Sequence, residues 1–398
     1  MMDYYQALDA LAQALTPIDG QESVPLTEAR GRRLAEPLLA RLDTPAFDNS
    51  AMDGYALADP QGTLTRFVLR GRTAAGDAPA AALQPGEAWR IFTGAPVPPG
   101  TTAVVAQENA RLDGEQLHLS APLPAGRHIR RRAEEFAAGA TLLPAGTTLG
   151  AAAIALAASQ GNARLSVSRP LRVAVFSSGN ELCEPGATLT AGKIYDANRY
   201  QLLAWLRAMP VTVVDGGILP DDLAQTRLRL AAVAQEVDVI LTSGGASVGE
   251  EDHLKAALMQ IGRLDAWRLA IKPGKPFAWG RVGQAHVFML PGNPVATFVT
   301  FHQLVAPALG YLSGQPALRA ESSRARAQFA SRGEEARREF LRARLSLNAE
   351  GEPQVSLLDG QGSAMLRACA EADCLVEVPP QTAVAQGDWL TVYPLRQG

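Results

Sequence analysis

Between residues 170 and 312 the chain alternates short apolar runs with longer helical stretches, and this alternation is the strongest constraint on its fold. LRVAVF, VTVVDGG, VDVILTS, WRLAI and AHVFML read as strands. Helices are expected near 198–209, 223–234, 252–261 and 294–309. Strands separated by helical crossovers cannot pair through tight turns. They build a mainly parallel sheet with helices on both faces. Open sheets of this kind bind ligands at the carboxyl ends of their strands, so the loops following these strands are the place to look for chemistry.

The rest of the chain divides by composition. Residues 1–45 are helical and then partly extended. Residues 46–133 are rich in Gly, Pro and Thr around short runs such as RFVLRG and TAVVAQE, which suggests a small β domain. Residues 134–169 read as strand, turn and helix and could rejoin the first block, making the β domain an insertion. Residues 313–398 return to β character in FLRARLSL, QVSLLD, CLVEVP and WLTVYP, as a barrel or sandwich. A length of 398 residues accommodates several domains, and 47% hydrophobic residues supply real cores. A net charge of -3 gives no global field to attract nucleic acid or an anionic membrane. The cysteines, Cys183, Cys369 and Cys374, are odd in number and form no CxxC pair. That argues against a disulfide framework or zinc site and for a reducing, cytoplasmic compartment. MMDYYQALDALAQAL lacks the pattern of a signal peptide; Leu8, Leu11 and Leu15 recur at helical spacing instead. The apolar run 149–158 is too short to span a bilayer.

Five strand-end loops carry the chemistry. Lys272-Pro273-Gly274-Lys275 has Pro and Gly at the two central turn positions, the signature of a type II turn. Its apolar flanks favour partial burial, and a partly buried lysine pair is satisfied by an anion. An exposed turn would be an ordinary solvated hairpin. Ser243-Gly244-Gly245-Ala246-Ser247 follows an apolar strand, and its glycines allow a ligand close to the backbone. The same residues also suit a plain strand-to-helix turn. Glu250, Glu251 and Asp252 follow, either as favourable charges in a first helical turn or as ligands of Mg²⁺. Further acids lie in Ser177-Ser178-Gly179-Asn180-Glu181 and at Asp221-Asp222, where Asp221 could equally cap a helix. In Pro291-Gly292-Asn293-Pro294, Asn293 suits an N-cap and Pro294 a first helical residue, whose exposed N–H groups favour anions. The Arg130-Arg131-Arg132 run and the eight arginines between 319 and 344 read first as solvated faces and an edge strand.

Seven segments in order resemble the molybdopterin molybdenumtransferase family: DNSAMDGYA (48–56), FTGAPVP (92–98), IRRRAEE (129–135), SSGNEL (177–182), TSGGASVGEEDHLK (242–255), AIKPGKPFAWG (270–280) and LPGNPVATF (290–298). The resemblance implies a multidomain α/β plus β fold. It comprises an elongated linking domain (1–45 with 134–169), an inserted β domain (46–133), a molybdopterin-binding α/β domain (170–312) and a C-terminal β domain (313–398). It implies a homodimer that inserts molybdenum from molybdate into adenylylated molybdopterin with Mg²⁺, releasing AMP. An adenylylating enzyme and acceptor molybdoenzymes are its implied protein partners. By position, Lys272, Lys275, Ser247 and Arg342 would grip molybdate, and Asp252 would act beside them. Glu181 and Asp221 would serve the metal, with Asp252, or the pterin phosphate. Ser243, Gly244, Gly245, Pro291, Gly292, Asn293 and Ser363 would line the substrate. Asp53 and Thr93 would reach in from the partner subunit. Two departures stand out: Ala133-Glu134-Glu135 after the basic run, and Arg367 where a serine is expected. The competing readings are adenylyl transfer to molybdopterin and a pterin-binding scaffold without turnover.

Overall fold

A computed structural model of the chain describes residues 1–78, 81–245 and 253–395. It forms two compact units. Residues 1–23, 31–33 and 166 to the end make one; 24–30 and 34–165 make the other.

The first unit holds the α/β sheet. Its strands run in the order Val211–Leu219, Leu171–Ser178, Val239–Ser243, Ala285–Leu290, Ala278–Val282, Gly262–Trp267. The first three pairings are parallel, as the alternation requires. The last two are antiparallel, so the sheet is mixed. The reason is local. No helix separates Ala278–Val282 from Ala285–Leu290, and Gly283, at φ +58°, makes the tight reversal between them.

WRLAI, expected as one strand, is split. Trp267 ends the antiparallel edge strand, Arg268 takes a positive φ of 69°, and Ile271–Lys272 leaves to pair with Arg338–Leu347. FAWG, passed over in the sequence, supplies the strand between. Alternating residues feed two cores. Val173, Val175, Leu241, Phe288 and Leu290 face one side; Ala174, Phe176, Ile240 and Met289 face the other.

Helix α1 (Tyr4–Ala14) starts at Asp3, whose carboxylate accepts from the Tyr5 amide. Its Leu8 and Leu11, with Leu15 beyond its end, enter the first of these cores, and the Tyr4 hydroxyl donates to Gln303 Oε1 at 2.9 Å. This helix therefore groups with the α/β sheet rather than with the linking block in which composition alone placed it. Helices α3 (Asn198–Arg207), α4 (Leu223–Val233) and α5 (His253–Ile261) lie near their expected bounds. The last helical stretch runs through α6 (Pro294–Thr300), a π segment (Phe301–Val305) and α7 (Ala306–Leu312), past the expected end. Pro294–Leu312 is long and apolar enough to cross a bilayer, but it is 83% buried in this core.

The C-terminal strands close into a barrel. Arg338–Leu347 pairs with Pro353–Leu357, which is followed by Ser323–Ala327, Trp389–Pro394 and Cys374–Val378, and the last pairs back onto the first. Closure removes the exposed edges that an open sheet of this size would present. The arginine-rich stretch is thus part of the barrel rather than a free polar edge. Arg326 pairs with Glu352 and Arg338 with Glu377, while Arg342 is wholly buried.

In the second unit a six-stranded sheet has the order Ala103–Ala106, Gly54–Leu57, Glu87–Ile91, Arg66–Thr73, Gln116–Leu119, Ala110–Asp113. Gly54 permits its closest approach, since a Cβ there would lie 1.8 Å from the Val105 carbonyl oxygen. The chain enters and leaves this sheet side by side: Leu38–Leu39 pairs with Thr141–Leu143, and Asn49–Ser50 with Ile129–Arg130. Arg131 and Arg132 are held by Asp48 and Asp43, so these two members of the basic run serve that return path. Glu134 supports it by accepting from the Arg131 amide at 2.6 Å.

Candidate functional site

Three parallel strands end together at Ser178, Ser243 and Leu290. The loops beyond them pack through glycine. Gly244 has φ +93°, and a Cβ there would stand 2.4 Å from the Ser178 carbonyl oxygen; Gly292 lies against the Gly244 Cα. The Asn198 amide group joins two of these loops, donating to Ser243 Oγ at 2.7 Å and to the Gly292 carbonyl at 2.8 Å. Ser243 Oγ in turn donates to the Pro291 carbonyl at 3.3 Å. Asn293 caps α6 by accepting from the Val295 amide, with Pro294 at the first helical position, as its sequence suggests. Asn198 was missed in the sequence, because an asparagine at a helix start has many uses. Ser247 and Asp252, with Glu250 and Glu251, lie outside the described residues.

The acidic loop after Leu171–Ser178, which carries Glu181, meets the loop after Val211–Leu219, which carries Asp221. Asp221 accepts from the Asn180 amide at 2.9 Å, and the Glu181 carboxylate folds over Gly179, 2.4 Å from where a Cβ would sit. Asp221 is not the helix cap; Asp222 caps α4 through the Gln225 amide at 2.7 Å. Lys193, not singled out in the sequence, donates to the Asn180 carbonyl. The segment that follows is anchored by Arg199, buried beside Asp196, Asp215 and Glu184. Burial opposes its charge, but the three carboxylates outweigh that and hold the guanidinium ionised. Among the described residues no cluster of three His, Cys, Asp or Glu could hold a metal. Glu181 and Asp221 stand on two different loops that meet at Asn180, and both offer the hard oxygen donors that Mg²⁺ takes.

The lysine turn differs from expectation. The Lys272–Pro273 peptide is cis, and Gly274 has a φ of +122°. Only an X–Pro amide makes the cis form accessible. Ile271 and Phe277 on its flanks are buried, whereas Lys272 and Lys275 are exposed. Lys272 already has partners: its Nζ lies 3.0 Å from Glu335 Oε2 and 3.2 Å from Glu339 Oε1. Lys275 has no ion pair among the described residues.

Arg342 is 0% exposed. Its terminal nitrogens donate to the carbonyls of Gly360 at 3.2 Å, Gly362 at 3.3 Å and Phe340 at 3.5 Å, and Nε has no partner among the described residues. No carboxylate neutralises it among the described residues, and burial pulls its pKa below the usual arginine range. The loop it holds carries Ser363, whose Oγ accepts from Asn293 Nδ2 at 3.2 Å. The structure thus joins Arg342, Ser363 and Asn293 in one connected set. Arg367 lies apart from it, exposed and paired with Glu371 on α8 (Leu366–Glu371).

In the second unit Asp53 and Thr93 meet. One Asp53 oxygen accepts from the Thr93 amide at 2.7 Å and from its hydroxyl at 2.8 Å. The amide bond first, then the hydroxyl, hold the Asp53 carboxyl below the usual range, so it is anionic at neutral pH.

An α/β unit with glycine-packed strand ends, fused to a closed barrel, together with a second β-rich unit, defines a multidomain α/β plus β protein. Residues 2–161 match the family described as MoeA N-terminal region (domain I and II), 174–311 a probable molybdopterin binding domain, and 324–395 the MoeA C-terminal region (domain IV). A molybdopterin molybdenumtransferase of Haemophilus influenzae is 37% identical over 99% of this chain and 98% of its own. Molybdopterin molybdenumtransferase 2 of Mycobacterium tuberculosis is 35% identical over 99% of both. Two crystal structures of the molybdopterin biosynthesis MoeA protein from Pyrococcus horikoshii superpose with TM-scores of 0.82 and 0.86, at 27% and 25% identity, over 99% of this chain and 99% and 100% of theirs. The chain belongs to the molybdopterin molybdenumtransferase family.

Proposed function

We propose that this chain, a transferase of molybdenum cofactor biosynthesis, inserts molybdenum from molybdate into adenylylated molybdopterin and releases AMP. The observation that carries the reading is Arg342: a wholly buried guanidinium with no carboxylate partner among the described residues, joined through the Gly360–Ser363 loop to Asn293 at the glycine-packed strand ends. A buried cation of this kind is stabilised by a bound anion. Molybdate is a tetrahedral dianion and takes charge-assisted hydrogen bonds from Arg342, Ser363, Lys275 and Lys272, with Ser247 a further donor and Asp252 acting beside it. Ser243, Gly244, Gly245, Pro291 and Gly292 leave backbone room for the pterin end of the substrate. Glu181 and Asp221 would hold Mg²⁺. When bound, that ion neutralises phosphate charge that would otherwise be repelled by the two carboxylates. The anionic Asp53, fixed by Thr93, acts from the second subunit of a homodimer, in a cytoplasmic enzyme that meets an adenylylating enzyme and acceptor molybdoenzymes. Support for a second copy comes from α2 (Ala151–Ser159), which is apolar all round yet exposed at Ala151, Ala152, Ala155 and Ala158.

The test supplies adenylylated molybdopterin, Mg²⁺ and molybdate and measures AMP. Molybdate-stimulated release is expected. Stoichiometric binding without release would replace this reading with a scaffold, and consumption of ATP would replace it with adenylyl transfer. The shared site has its own test. Asp53→Asn and Lys275→Met are each expected to be inactive, and mixing them with subunit exchange should restore activity. Failure to complement between variants shown to exchange would place Asp53 outside the reaction.

A further inference from the structure

The two lysines of one turn stand in different electrostatic settings, and the difference comes from the barrel. Ile271–Lys272 adds in parallel to Arg338–Leu347, which places Lys272 opposite Glu339. Glu335 lies just before that strand and is itself positioned: its Oε1 accepts from Arg337 Nε at 2.9 Å and from the Arg337 amide at 3.2 Å, and its Oε2 from Arg337 Nη2 at 3.2 Å. That leaves the same Oε2 facing Lys272 at 3.0 Å, with Glu339 Oε1 at 3.2 Å. Lys272, Arg337, Glu335 and Glu339 form a quartet with no net charge. An oxyanion arriving at the turn meets a Lys275 without an ion pair among the described residues but a neutralised Lys272.

We infer that Glu335 and Glu339 are a carboxylate clamp that competes with the incoming oxyanion for Lys272, so that they set the affinity and charge selectivity of the anion site. The inference rests on the proposal that the lysine turn receives molybdate. The side chain of Lys272 is 46% exposed, with its partners at 22% and 20%. At that exposure ion pairs are weak and exchangeable. A tetrahedral dianion offers Lys272 a stronger charge-assisted bond than either carboxylate alone, whereas a monoanion offers no such advantage. Glu335 cannot simply take a proton to step aside. Arg337 first, and Lys272 with it, hold its carboxyl down to about 2, so it remains charged at any working pH. The clamp opens by side-chain exchange.

Calorimetric titration of tungstate and of molybdate into the full-length chain tests this. Glu339→Gln and Glu335→Gln each remove one competing charge while keeping side-chain shape, and each should tighten binding by roughly two- to tenfold. The gain should vanish in a Lys272→Met background. Folded variants that bind no tighter than wild type, or a gain that survives in Lys272→Met, would overturn the clamp. The outcomes separate the two layers. If Lys272→Met weakens binding but neither glutamine variant strengthens it, only the clamp falls. If Lys272→Met binds tungstate as wild type does, the lysine reading and the clamp fall together. Thermal melting of each variant identifies a purely structural role, which would lower stability without raising affinity.

Discussion

Arg342→Met is expected to abolish molybdate-stimulated AMP release while leaving the chain folded. Methionine retains much of the apolar volume of the arginine stem among Phe340, Cys369 and the Gly360–Ser363 loop. It also removes a charge that burial disfavours, since the pKa of Arg342 already lies below the usual range. Replacing buried ionic groups by well-packed apolar ones is often neutral or stabilising. Arg342→Ala should behave differently. Both variants unpair the carbonyls of Gly360 and Gly362, but alanine also leaves a cavity, which costs roughly 2–5 kcal/mol more. Denaturant melts and AMP release on both variants separate the contributions. If the methionine variant turns over normally, Arg342 is a barrel residue and not an anion ligand. If it unfolds as readily as the alanine variant, the guanidinium is required for the barrel itself.

Gly244→Ala should damage the site more than its single methyl group suggests. The backbone at φ +93° is one that side chains rarely adopt, a strain of about 1–3 kcal/mol. The added Cβ would also stand 2.4 Å from a backbone oxygen of Ser178, which has no flexible end to yield. Relief requires the Val239–Ser243 loop to move away from the Leu171–Ser178 loop, and with it the contacts through Asn198 and Gly292. AMP release should fall far more than stability. Gly161→Ala is the control: it has φ +72° but nothing within 4 Å of the added carbon, so it bears only the backbone strain. Equal melting temperatures and equal activities for the two variants would remove the steric account.

The two glycines show where sequence reading reaches its limit. Both are glycine-containing turns to the eye, and only neighbours distant in the chain distinguish them. The same holds at the helix starts. Asn293-Pro294 was legible because capping is chemistry between residues two or three apart. At Asp221-Asp222 the sequence leaves a cap at Asp221 open, but either acid could cap, and only the position of Asn180 decides that Asp221 turns away and Asp222 caps. WRLAI was misread because an apolar run of five residues looks alike in a strand and across a break between two strands. The missing information was the positive φ at Arg268 and the barrel strand waiting beyond it.

What the sequence determined by itself was local: the parallel core strands, their helices, the capped start of α6 and the chemical types gathered at the strand ends. These follow from periodicities of two and 3.6 residues and from short-range hydrogen bonding, which a chain expresses wherever it lies. Tertiary structure alone decided barrel closure, the antiparallel edge and, above all, the charge environment of each cation. Lys272, Lys275 and Arg342 are equally positive in the sequence. One is neutralised by Glu335 and Glu339; among the described residues, one carries no ion pair and one is buried without a counter-ion. Electrostatic energy depends on distance through space and on exclusion of water, and neither is a property of position along the chain.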